Sequence, residues 1–550
     1  MRIFMLFCCL VAAPFLAFAQ DTILPGSEVR VEKLFDARLA EAKRIELRPS
    51  LPQIDTTRVP QRYEVIPVVS DITYDPPKIR PLAIKVDAPP APYKGFARAG
   101  VGFAPGWIGD VGYVTRNESI ALRGDLHTYG FQATDDSDQR NSEVNGLLGG
   151  TYYADNGLAV DLDLDYDGQR FRYYGFEEAV NDTSMTLTPE QNQQYFSIFG
   201  LRAGVRNTKP TEIGIDYFFR VGAHFLSDNF TTKERNSLIE LGGRKDLNEQ
   251  WYAEAELEID LTSFSATSII ENTGGDLNNY SFIPTVGAHF DQLGFRIGAT
   301  ISNFEDNFKF FPNAEVSYGL GGGFVIVAGA DGGLRKNNYT RMTRYLPYLV
   351  RDIELRNAEE YRFYAGVQGQ TAGVNYKATA SYTHINNLAI YAQDSLEVYK
   401  FRPAFDTANV IGLRVEANMP LANRFNGRLQ LDTRTFSLNS AEKPYLLPSF
   451  DAQVQVSYEV IEDKFTASAI LTAQNALPFA AIGPTIQPNP LPESDLTSTL
   501  VDLSIHGNYW FAKKVGGFVQ LNNLFNNQRR KFPFYPVLGT NVMAGIVTRF

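Results

Sequence analysis

The sequence predicts an all-β protein: a transmembrane antiparallel β-barrel of about 22 strands, preceded by a Pro-rich extended N-terminal arm. Three observations carry that expectation. First, GLAVDLDLDYDG (157–168) places Leu158, Val160, Leu162, Leu164 and Tyr166 between Asp161, Asp163, Asp165 and Asp167. A period of two puts the two sets on opposite faces of a strand, one apolar and one charged. Second, alternating segments of this kind recur from Gly95 to Phe550, among them 396–418 and 445–460, separated by Gly, Asn and Asp. Third, the connections between them sort into alternate short and long sets.

The first 19 residues read as a secretory signal peptide. Arg2 forms a minimal basic region, Ile3 to Leu16 an apolar stretch, and Ala17-Phe18-Ala19 a small-residue cleavage site before Gln20. Both cysteines, Cys8 and Cys9, fall inside it. The expected mature chain therefore has no disulfide, thiolate nucleophile or Cys-based metal site. Loss of Arg2 takes the formal charge from −11 to −12, which argues against a nucleic-acid partner. No later run is long and apolar enough for a transmembrane helix.

Residues 20–92 differ from the rest. RPSLPQIDTTRVPQ, TYDPPKIRP and VDAPPAPYK are rich in proline and charge. Proline at this density favours extended backbone and interrupts a sheet. Only 31–47 carries an amphipathic helical stripe, through Val31, Leu34, Phe35, Leu39 and Ala42. The segment is expected to be a periplasmic arm rather than a packed plug, able to cover the mouth through Lys43, Arg44, Lys78 and Arg80.

Residues 93–550 form the expected barrel. The short connections include FAKKV, VIEDK, MPLAN, GQT, FDQLG, KDLNE and ADNG, and the long ones 172–192, 264–277, 332–357, 476–495 and 527–538. Outer-membrane barrels show that asymmetry between periplasmic turns and extracellular loops. An unpaired carboxylate facing lipid is costly. The apolar faces are thus expected to meet lipid and the polar faces a wet lumen. Closure follows because an open sheet edge leaves backbone groups unsatisfied in lipid. Two apolar loop stretches, 475–494 and 345–350 (YLPYLV), suit an inward constriction, a surface that binds a partner subunit, or a self-packed lid.

The lumen-lining residues expected on this basis are Asp161, Asp163, Asp165 and Asp167, then Glu254, Glu256, Glu258 and Asp260 of WYAEAELEIDL, and Arg428, Asp432 and Arg434 of NGRLQLDTRT. A straight carboxylate ladder does not converge as a calcium site requires. The five histidines lie in separate segments without zinc spacing, and no nucleophile elbow or phosphate loop occurs. The expectation is therefore no enzyme, no metal and no cofactor.

Residues 516–550, GGFVQLNNLFNNQRRKFPFYPVLGTNVMAGIVTRF, resemble the C-terminal region of TonB-dependent receptor barrels. Asn523-Leu524-Phe525-Asn526, Phe534-Tyr535-Pro536, Gly539 and the closing strand to Phe550 carry the likeness. In detail the chain resembles a barrel of the Bacteroidetes type that lacks the folded plug domain. The resemblance implies an outer-membrane protein of transport class. It also implies that Phe550 is the signal read by the barrel assembly machinery. Residues 20–92 are too short for that family's plug, and SEVRVEK (27–33) is too ordinary to count as a TonB box. Energised uptake through TonB by this chain alone is therefore doubtful. The expected function is a transport-class pore or receptor closed by its own arm or by a partner, such as a plug protein. The alternative is a non-transporting accessory or structural subunit of an outer-membrane complex. Outer-membrane lipid is the remaining expected partner.

Overall fold

The computed structural model describes residues 93–550, apart from 135–137, 176–186, 268–271, 305–306, 372, 423, 480–496 and 528–529. The expected signal peptide, the arm, SEVRVEK and most of the loop 475–494 lie outside the described residues.

Twenty-two strands form one closed antiparallel sheet. In chain order they are β1 (Gly95–Phe103), β2 (Gly106–Arg116), β3 (Ile120–Gln132), β4 (Arg140–Tyr153), β5 (Leu158–Arg172), β6 (Gln193–Asn207), β7 (Ile215–Asp228), β8 (Lys233–Asp246), β9 (Trp251–Thr267), β10 (Asn272–Phe290), β11 (Leu293–Phe304), β12 (Asn307–Gly321), β13 (Phe324–Asn337), β14 (Arg356–Thr371), β15 (Val374–Gln393), β16 (Phe401–Ala422), β17 (Phe425–Leu438), β18 (Phe450–Ile461), β19 (Phe465–Gln474), β20 (Leu500–Trp510), β21 (Val515–Asn522) and β24 (Asn541–Arg549). Between β21 and β24 lies a small separate hairpin, β22 (Arg530–Phe532) with β23 (Tyr535–Pro536). One short helix, α1 (Tyr339–Tyr345), sits between β13 and β14.

Each strand pairs with its neighbour in sequence. The barrel closes where β1 meets β24, from Phe96 opposite Arg549 to Phe103 opposite Val542. Phe550 extends this seam: its N–H donates to the Gly95 carbonyl at 2.9 Å, and its carbonyl accepts from Gly95 N–H at 2.9 Å. Closure leaves no unpaired sheet edge.

The two faces divide as the alternation requires. Large apolar side chains stay exposed on the outer face, among them Leu148, Leu162, Ile297, Phe310, Ile411 and Ile546. An exposed apolar band of this extent on a closed barrel has the character of the lipid-facing surface of membrane barrels. The inner face carries the Asp161–Asp167 and Glu254–Asp260 ladders. The register shows that they share it, because Asp161 aligns with Gly204, Arg220, Glu240 and Glu258 on successive strands.

Three sequence expectations need correction. Residues 264–277 are not a long loop: β9 continues to Thr267 and β10 begins at Asn272, so both run well past the length needed to cross a bilayer. The segment expected at 396–418 begins as a strand at Phe401, and the one expected at 445–460 begins at Phe450. Local alternation does not distinguish strands within a bilayer from strands that continue beyond it. Nor does it separate strand from extended loop.

Candidate functional site: the lumen and its loop-filled mouth

The inner wall is built of charges that meet across strands. Asp161 accepts from Thr151 Oγ1 at 2.7 Å and from Arg206 Nε at 3.0 Å. Asp163 takes the Arg123 guanidinium at 2.8 Å, and Asp165 lies 3.8 Å from His224 Nε2. Asp167 meets Arg344 of α1 at 3.4 Å. Glu254 pairs with Arg244 at 3.0 Å, and Asp260 with Lys336 Nζ at 2.8 Å. Glu256 and Glu258 make no ion pair among the described residues. On β17, Arg428 donates to Asn418 Oδ1 at 3.1 Å, while Asp432 accepts from Arg414 Nε and Arg434 Nε, both at 2.9 Å. Bare backbone makes room for some of these groups: a Cβ on Gly149 would collide with the Asp163 carboxylate and the Arg123 guanidinium. The structure thus brings the β5 and β9 ladders onto one wall. It sets the β17 group apart with its own partners.

The end of the barrel that carries the long loops is different. There the loops turn inward and pack into an aromatic core. Phe171, Tyr173, Phe196, Phe264, Tyr339, Tyr399, Phe401, Phe534 and Tyr535 are all buried in it. Tyr348 and Tyr535 stack with ring centroids 3.4 Å apart. The YLPYLV stretch belongs here, with Leu346, Leu349 and Val350 fully buried. Leu477 and Phe479, at the start of the other apolar loop, join the same core. Of the three roles that the sequence allows these stretches, YLPYLV, Leu477 and Phe479 take the inward one and form part of a seal.

Charges buried within this core fasten one loop to the next. The Glu234 carboxylate accepts from Tyr339 N–H at 2.6 Å and Thr340 N–H at 3.3 Å, where a helix start favours negative charge. Asn338 caps the same helix by accepting from Arg341 N–H at 3.2 Å. Lys400, with 2 % of its surface exposed, donates to Glu397 at 2.7 Å between the rings of Tyr173 and Tyr399. Arg402 clamps Asp352 at 2.9 Å and Asp394 at 2.8 Å, joining the loop after β13 to the loop after β15. Burial opposes the Asp394 charge. The N–H groups of Glu397 and Leu396 and the Arg402 guanidinium outweigh it and hold that carboxyl below its usual range. Burial lowers the Lys400 ammonium, and Glu397 offsets part of that effect.

These seal residues were not identified from the sequence, yet a signal for them exists. On β5 and one residue past its end the inner positions run Asp161, Asp163, Asp165, Asp167, Gln169, Phe171 and Tyr173. On β9 they run Glu254, Glu256, Glu258, Asp260, Thr262, Phe264 and Ala266. Each inner face changes from charged to apolar at the height where the loops fill the lumen.

No family model matches the sequence, and no curated protein matches it. Solved structures do match in fold. The FrpB iron transporter from Neisseria meningitidis (F3-3 variant) superposes with a TM-score of 0.62 at 9% identity, over 84% of this chain and 82% of that one. The siderophore receptor PirA from Acinetobacter baumannii gives 0.60 at 11% identity, over 83% and 80%. The pyoverdine outer membrane receptor FpvA from Pseudomonas aeruginosa PAO1 gives 0.59 at 11% identity, over 84% and 79%. The chain has the fold of an outer-membrane receptor barrel. These neighbours are transporters and receptors rather than enzymes. At such identities the likeness is one of architecture.

Proposed function

We propose that this chain is an outer-membrane barrel of transport or receptor class, with its long-loop end outward. Its lumen is closed at that end by its own loops, and at the other by residues 20–92 or by a partner protein. The observation that carries the reading is a closed 22-strand barrel with an apolar outer belt and a charged inner wall, and the iron transporter and receptors above share its fold. The reading takes from those neighbours the class of process, not the ligand, and does not require TonB. The ladders Asp161–Asp167 and Glu254–Asp260, with Arg428, Asp432 and Arg434, serve as the hydrated wall. Phe550 serves as the signal for the assembly machinery. Single-channel conductance in planar bilayers tests the reading, comparing the chain from Gln20 with one starting at Ala91. With the loop seal opened by Glu397→Ala in both, a higher conductance of the shorter chain supports closure by the arm. Recovery of the native protein in the soluble periplasm defeats the location.

One observation favours a second reading, a non-transporting subunit of an outer-membrane complex. The aromatic core fills the long-loop end with tight stacking and buried ion pairs, which suits a permanently sealed barrel. Stoichiometric co-purification of another outer-membrane protein in gentle detergent, with conductance absent from every truncation, would select it.

A further inference from the structure

We propose that the outer wall of the barrel from β3 to β8 binds one lipid whose headgroup carries phosphate, with that headgroup where the apolar belt ends toward the long loops. The inference goes beyond the receptor reading but rests on its placement of the chain in the outer membrane, long-loop end outward. Three cations mark the headgroup level. Arg170 of β5 shares the outward face with Leu162 and Leu164, and Lys233 and Arg235 of β8 share it with Ile239 and Leu241. Arg170 lies about as far from the start of β5 at Leu158 as Lys233 and Arg235 lie from the end of β8 at Asp246, so the three stand at one height. All three are exposed. None makes an ion pair or side-chain hydrogen bond among the described residues.

Two observations decide the ligand class. The first is charge. Along the outward positions of β4 to β9 there is no Asp or Glu among the described residues, while the inward positions of the same strands carry the carboxylate ladders. Arg172, next outward on β5, is committed to Asp138 at 2.6 Å, and Arg140 of β4 donates to Gln132 at 2.6 Å. The uncommitted charge on this wall is positive, and phosphate oxygens pair strongly with guanidinium and ammonium groups. β5 and β8 are three strands apart, about 14 Å at ~4.8 Å per strand, a gap that long side chains close from both sides of one headgroup. The second observation is the apolar surface beneath. A recess of about 610 Å³ opens on the same wall, lined by Leu122, Leu126, Leu148, Leu162 and Leu164. Gly124 and Gly150 leave it open, since neither has a side chain to fill it. From Leu164 to Arg170 is about 20 Å along the strand, or about 14 Å of depth at a tilt of about 45°, which is one leaflet of a core about 30 Å thick. Tyr195, opposite Arg170 in register, meets Tyr166 hydroxyl to hydroxyl at 2.6 Å, and tyrosines of this kind belong at the boundary of lipid and water. A free phosphate would use the cations and leave the recess empty. A neutral lipid would use the recess and leave the cations without counter-charge. A phosphorylated lipid uses both.

The test is native mass spectrometry of the full chain in detergent, with diphosphoryl lipid A as the probe and the same lipid dephosphorylated as its pair. The phosphorylated lipid is expected to bind one to one, about tenfold or more tightly than its pair, and to weaken with added salt. The triple variant Arg170→Gln, Lys233→Gln, Arg235→Gln is expected to lose that preference. Lys245→Gln, at an outward position near the short-turn end of β8, is expected to keep it. Heat-modifiable mobility on gels verifies the fold of each variant; if the triple variant does not fold, the paired lipids decide on the unsubstituted protein. Equal binding of the two lipids, or an unchanged preference in the folded triple variant, overturns the site. Full displacement of the lipid by inorganic phosphate also overturns it, by assigning the cations to a free anion. Fractionation separates this inference from the reading beneath it. A chain recovered with the outer membrane that shows no preference keeps the reading and loses the site. A chain recovered in the soluble periplasm that still prefers the phosphorylated lipid keeps the site and loses the reading.

Discussion

The two ends of the lumen use one backbone for opposite purposes. Near the short turns, inner positions hold Asp, Glu and Arg in pairs that water can reach. Near the long loops, the same inner faces hold Phe, Tyr and Leu packed on loop side chains. The wall alternates with the same period throughout, so alternation does not set the difference. What sets it is the residue chosen at each inward position, together with the presence of a loop long enough to turn back and cover it. A charge at a wet position costs little to change. A charge within the aromatic core is held by specific partners and is costly to disturb. A barrel wide enough to leave an aqueous channel can thus be sealed at one end and hydrated at the other without any change in sheet geometry.

The largest expected effect follows from breaking the sealed end. Glu397→Ala leaves the Lys400 ammonium buried without its partner, a loss of about 3–5 kcal/mol for a buried pair. Because that cost falls on the loops, the barrel should keep its heat-modifiable mobility while single-channel conductance rises in the chain starting at Ala91, which lacks the arm. A variant that stays closed would show that the ion pair does not hold the seal.

Next comes the contrast between the faces of a single strand. Leu162→Arg places a charge in lipid, at roughly 2–4 kcal/mol near the midplane. Asp163→Arg breaks an exposed pair with Arg123, worth about 1 kcal/mol or less. The first variant should assemble poorly and the second nearly normally. Equal yields of folded barrel on gels would reverse the assignment of the faces.

Acid should also separate the two ends. The Asp394 carboxyl titrates below its unfolded value, near 3.9. Its stabilisation of the loops is therefore complete above about pH 4 and is lost as pH falls through the lower folded value. Conductance of the chain starting at Ala91 should rise reversibly in that window, and Asp394→Asn should remove the transition. A pH-independent seal in the unsubstituted protein would mean that this clamp is dispensable.

The smallest effect on stability is expected at Phe550→Ala. The backbone bonds to Gly95 remain, and only a half-exposed ring beside Tyr113 is lost. Insertion in the native host should slow while the folded barrel is unchanged. Normal membrane levels would remove the role as an assembly signal.

Much of the wall was legible in the sequence because β-strand periodicity is local. The opposition of Leu162 to Asp163 needs no knowledge of any other strand, and the sorting of turns and loops needs only their order. The count of strands, their antiparallel order and the separation of faces follow from these alone. The ends of β9 and β10 were not legible, since a strand that passes beyond lipid has the same pattern as one within it. The tertiary structure decided which charges meet: Lys336 reaches Asp260 from four strands away, and Arg344 reaches Asp167 from a loop helix. It decided too that YLPYLV turns inward, because Leu346, Leu349 and Val350 find their apolar partners on loops and strands distant in sequence. Alternation is set by neighbouring residues along the chain. Loop packing and ion pairing depend on what the closed barrel brings within reach.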